Sequence, residues 1–128
     1  MIVFDACVVI AHLERHDALH ARGVQLMHAA APFRRRIASL TLAEVLIGFE
    51  KIAMTDQALR DITHALHIIE VLPEQGWAKR LAAARVSSGL RLPAAVVLAE
   101  ARHLNAQIAT FDSALADVAR RENRLFEP

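Results

Sequence analysis

Met1-Ile2-Val3-Phe4-Asp5-Ala6 places four apolar residues in a row, closes them with an acid and turns to alanine. The run is too short for a helix, and no polar residue interrupts it to mark a wet face. It predicts a strand buried on both sides of a parallel sheet, with Asp5 at its carboxyl end. Working outward, a helix over about 6–15 follows, and Leu19, Gly23, Leu26, Met27 and Ala30 recur at helical spacing as a second amphipathic helix. Pro32 breaks that pattern, and residues 36–40 read as a second strand. From Thr41 the period is helical again, with Leu42, Val45, Leu46, Phe49 and Ala53 on one stripe, and Leu59, Ile62 and Leu66 mark a further helix. Residues 67–72 form the third strand, stopped by Pro73; Trp77, Leu81, Ala84 and Ser88 lie along a long helix, and Pro93 suits the first turn of the next, to about Leu104. Residues 107–110 are a fourth strand, 113–121 a helix and 124–126 a candidate fifth strand. Short apolar strands alternating with helices predict an α/β fold, a three-layer α/β/α sandwich with a short, mainly parallel central sheet.

A chain of 128 residues, 55% hydrophobic and 23% charged, fits one ordered domain over 1–128. Apolar runs such as 6–11 and 93–99 fall far short of the ~20 residues a membrane span needs. The amino-terminal stretch has no basic segment, and an acid stands where a signal core would continue, so export by a standard signal is not expected. A single cysteine, Cys7, allows no internal disulfide and no cysteine-rich zinc site, which points to a reducing cytoplasm. The formal charge of +1 sets up no strong field toward nucleic acid. Lys51 and Lys79 are the only lysines, so arginine supplies nearly all the positive charge, and arginine is suited to bidentate contact with phosphate or carboxylate.

In an open parallel sheet, ligands bind beyond the carboxyl ends of the strands. Acids stand there: Asp5 after the first strand, Glu44 in the first turn of the helix after the second, and Asp112 after the fourth. Each also has a local explanation. Asp5 and Asp112 can cap the helices they precede, and Thr41-x-x-Glu44 matches a capping box. Converging carboxylates, however, repel one another unless a cation neutralises them, and oxygen ligands select Mg2+ or Mn2+ over Zn2+. An ion so held can activate water and stabilise charge on a phosphodiester.

The same segments resemble the PIN domain, and within it the VapC-type ribonuclease toxins of toxin–antitoxin pairs. The resemblance rests on Val3-Phe4-Asp5-Ala6, Leu40-Thr41-Leu42-Ala43-Glu44-Val45, the stretch from Leu92-Pro93-Ala94 to Ala99-Glu100-Ala101, and Ala109-Thr110-Phe111-Asp112, in that order along the whole chain. It implies a Mg2+-dependent endoribonuclease, with Mn2+ as the other ion, and with Asp5, Glu44 and Asp112 as catalytic and metal-binding acids supported by Thr110. It also implies a homodimer, an RNA substrate and a VapB-type antitoxin whose basic side chain can enter the acidic pocket. One position departs: an aspartate is expected after Leu92-Pro93, and this chain has Ala94. A methyl offers no oxygen, so activity is expected to be weak or absent. Two histories account for it, a paralogue that lost activity or an introduced replacement, and the intact remainder of the motif favours the second. Glu100 is a poor substitute, because six residues carry it nearly two turns along the helix.

Other features carry less. His12, His16 and His20, and His64 with His67, have helical spacings but no acid in sequence to complete a zinc site. Arg34-Arg35-Arg36, expected in the loop entering the second strand, is a possible RNA-backbone contact. Five Phe, one Trp and no Tyr are too few for a base-stacking platform. Cys7 is expected as a small buried residue and Trp77 as helix packing. A phosphoacceptor receiver domain would need adjacent acids after the first strand, an acid ending the third and a late lysine, none of which is present. A non-catalytic module that binds antitoxin or RNA without cutting it remains open.

Overall fold

Four short runs pair in parallel as one sheet: β1 (Ile2–Phe4), β2 (Arg35–Ala38), β3 (Ile68–Val71) and β4 (Gln107–Ala109), in the order β3-β2-β1-β4. They come from a computed structural model that describes residues 1–128. Between them run α1 (Ala6–Leu13), α2 (His20–Ala29), α3 (Ser39–Glu50), α4 (Thr55–Arg60, continued by a π-helical turn, Asp61–Ala65), α5 (Trp77–Ser88) and α6 (Leu92–Leu104), with α7 (Ser113–Arg121) after β4.

The two-residue period of the strands sorts the core into two layers. Ile2 and Phe4 of β1, Ile37 of β2 and Ile68 of β3 pack with α1–α3 and Ile62 on one face. Val3, Ala38 and Ile108 point the other way, into α5, α6 and α7. The central strand β1 is wholly buried, which explains a run with no polar residue. The sandwich expected from the sequence is therefore the fold observed. No single helix is long and apolar enough to cross a membrane.

The chain walks from β1 to β2 to β3 in one direction, then crosses back so that β4 lies on the other side of β1. The strand order reverses between β1 and β4, and a crevice opens where the chain leaves their carboxyl ends for opposite faces, into α1 and α7. Asp5 leaves one of those ends and Thr110 the other.

Several boundaries differ from the sequence reading. The candidate fifth strand is a single bridge between Leu125 and Ile108. Phe126 turns inward there, its ring edge-on to Phe33 at 5.6 Å, and pairing stops. The third strand loses His67, whose φ of +50° cannot continue extended backbone. Arg35 and Arg36 are not in a loop: both pair within β2, half-buried between β1 and β3. Charged side chains hid the start of the strand, because their stems can lie along the sheet while the heads reach water. α3 begins at Ser39, two residues earlier than Thr41, so Glu44 lies in its second turn.

Candidate acidic site

Asp5 is fixed from three sides. As the N-cap of α1 it accepts the Ala6 N–H on Oδ1 at 2.8 Å. Its Oδ2 accepts the Thr110 hydroxyl at 2.7 Å and the Cys7 thiol at 3.3 Å. Thr110 Oγ1 in turn accepts the Asp112 N–H at 2.9 Å, and Cys7 Sγ accepts the Phe111 N–H at 3.3 Å. The turn after β1 is thus latched to the turn after β4 by side chains that are not themselves acids. Asp112 caps α7, accepting the Ala114 N–H at 3.0 Å on Oδ1.

Glu44 reaches the same place from α3. The capping box expected for it does not form: the N-cap is Ala38, no side chain caps the helix, and the Thr41 hydroxyl is buried without a partner. Freed from capping, the Glu44 carboxyl makes no hydrogen bond and faces the crevice. Burial, and then the charge of Asp5, hold its pKa above the usual carboxylate value.

Ala94, the third residue of α6, completes the ring. Asp5, Glu44, Ala94 and Asp112 line one cavity of about 420 Å³, with Cys7, Ile10 and Phe111 among its apolar walls. Acids 5, 44 and 112, expected from the sequence at one sheet edge, line the same hollow, and residue 94 borders it. The hollow has the charge for a hard cation but lacks the ligand set. No three His, Cys, Asp or Glu side chains come close enough together to hold one ion. Asp5 spends both oxygens on donors, and the place where a further acid would stand is a methyl. The residues present do not fit a metal centre.

The PIN domain family matches residues 2–121. The chain belongs to the PIN-domain family. No curated protein matches it. Among solved structures, a toxin–antitoxin complex from Klebsiella pneumoniae is similar with a TM-score of 0.72, at 23% identity over 88% of this chain and 88% of that one. That likeness is one of fold.

Other expected residues of this PIN domain lie apart from the hollow. Arg34, Arg35 and Arg36 enter β2 at the amino end of the sheet, where the Arg34 carbonyl accepts the Ile2 N–H, one strand length from the acids. His20 is tied to the Ala11 carbonyl at 2.8 Å, and burial followed by the neighbouring His20 lowers the pKa of His12. Neither belongs to the acid cluster. Glu100 is 2% exposed and accepts the Trp77 indole N–H at 2.9 Å, which accounts for both residues and takes Glu100 out of the site. Sequence reasoning missed Cys7. Burial first, and then Asp5, push its thiol to about 11, so it remains S–H and donates. The available signal was its spacing: a side chain two residues after an N-cap aspartate folds back beside that cap in the first turn.

Proposed function

We propose that this PIN domain has the scaffold of a Mg2+-dependent endoribonuclease toxin of a toxin–antitoxin pair, weak or inactive as it stands because, with Ala94 where an acid is expected, the residues present do not make up a metal centre. The observation that carries the reading is the single hollow lined by Asp5, Glu44, Asp112 and the Ala94 methyl at the switch point of the sheet. The toxin–antitoxin assembly of the similar solved structure supports the partner class. Exposed apolar side chains on α3 and the turn after it, Leu40, Ile47, Ile52 and Met54, supply surface for a VapB-type antitoxin or a second copy in a homodimer, in a cytoplasmic setting.

Restoring the acid tests this. A94D, incubated with structured RNA and Mg2+, is expected to cleave at least ~100-fold faster than the Ala94 chain, since each ~1.4 kcal/mol of recovered transition-state stabilisation is a decade in rate. D5N added to A94D should abolish the gain. No gain in A94D counts against the nuclease reading.

A second reading is a module that binds antitoxin or RNA without cutting. The failure of any three donors to gather around one point favours it. It requires tight antitoxin binding by calorimetry with no metal-dependent cleavage even in A94D.

A further inference from the structure

The acidic hollow is the middle of three cavities in a row. On one side it shares Phe111 with a groove of about 380 Å³ that holds Arg22 and Arg120. On the other it shares Ala94 and Asp112 with a groove of about 450 Å³ entered past Gly89, Leu90 and Arg91. The shared residues set the three cavities side by side at the carboxyl ends of β1 and β4, a trough interrupted by Phe111 on one side of the hollow and by Ala94 and Asp112 on the other.

Cations stand at both ends. The Arg22 guanidinium lies 4.8 Å over the Phe111 ring, on the wall common to hollow and groove. Arg22 and Arg91 are exposed, and neither meets a carboxylate within ion-pair distance. The neighbouring arginines are committed: Arg120 to Asp117 and Glu127, Arg102 and Arg124 to Glu122. Arg120 also answers Glu127, the acid in its own groove.

A polyanion crossing this trough meets repulsion at the centre from Asp5, Glu44 and Asp112. It needs attraction on both flanks to stay. Arginine supplies that in the form a phosphate diester accepts best, a planar fork of donors. We propose that Arg22 and Arg91 grip the backbone phosphates of one RNA strand on either side of the acidic hollow, so that the strand is laid across the acids. The proposal rests on the reading of the hollow as an RNA site, and it assigns that site its substrate track.

The experiment uses the full Ala94 chain and a fluorescein-labelled, mixed-sequence, single-stranded RNA decamer, followed by anisotropy over a KCl series. R22Q and R91Q are each expected to raise Kd at least about threefold, and the pair at least about tenfold. Each should lower the slope of log Kd against log salt by about 0.7, the value for one phosphate contact on a single strand. K51Q, exposed in the turn after α3 and outside all three cavities, should bind as the parent does. Circular dichroism checks that the variants are folded. Kd values for R22Q and R91Q within twofold of the parent overturn the proposal, as does a parent that does not retain the decamer. An equal loss in K51Q, or equal retention of a glutamate decapeptide, also overturns it. The A94D background separates the two readings. Cleavage with KM unmoved by R22Q and R91Q removes the track and leaves the nuclease. Loss of RNA binding in R22Q and R91Q with no cleavage by A94D keeps the track and removes the nuclease.

Discussion

Thr110 does two jobs with one hydroxyl: it donates to Asp5 and accepts from the Asp112 backbone. Valine has the same shape and can do neither. T110V should therefore lower stability by about 1–3 kcal/mol, the cost of leaving a buried partner unmet, and T110S should recover most of it in thermal unfolding. Glu100 gives a second residue-scale test. Its burial holds the carboxyl pKa above the ordinary value, against the Trp77 hydrogen bond and the pull of His103 and Arg80, with Glu74 adding to the rise. One of its oxygens has no partner. Below the unfolded-state pKa of ~4.3 the group is protonated in both states and costs nothing extra. As pH climbs through the raised folded value, the unfolded chain releases the proton more readily, and stability falls. E100Q should gain about 1 kcal/mol at pH 8 and nothing at pH 4, read from Tm at the two pH values. At this scale the acids were legible because strand ends and helix starts are where such sheets keep ligands. The Cys7–Asp5–Thr110 latch was not, since it joins residues more than a hundred positions apart.

Helices α1 and α2 approach closely enough that only glycine fits at position 23. A Cβ there would sit 2.9 Å from the His12 backbone N and 3.1 Å from the Ala11 backbone C. Gly48 on α3 would meet nothing within 4 Å. The same substitution should thus act in opposite directions. G23A should destabilise by about 1–3 kcal/mol despite the better helix propensity of alanine, and G48A should stabilise by about 0.5–1 kcal/mol. Denaturant midpoints of the two variants check the pair. Helix positions were largely legible, with the stripe from Trp77 to Ser88 falling on α5 and the span from Ser113 to about Arg121 on α7, because apolar stripes and prolines mark them. The start of α3 was misread. Ser39 and Leu40 look like strand by composition, but Ser39 Oγ donates to the Val71 carbonyl of the neighbouring strand and the chain is already turning into helix. The capping signature of Thr41 and Glu44 was genuine as a pattern; the two-residue shift of the boundary removed its use.

For the whole molecule, the order β3-β2-β1-β4 does what no local pattern could specify: it brings residues 5 and 112 to one crevice and swings α3 and α6 over it. Alternating strands and helices allowed the layered fold to be read, while strand order depends on crossovers that leave no mark in composition. The most direct test of the shared acidic hollow is anomalous diffraction from A94D crystals soaked in Mn2+. The account predicts one manganese peak inside the hollow, bounded by Asp5, Asp112 and the carboxylate introduced by A94D, with Glu44 on its rim and no peak there in the Ala94 chain. Acid oxygens dispersed over separate faces, or manganese bound only elsewhere on the molecule, would contradict it.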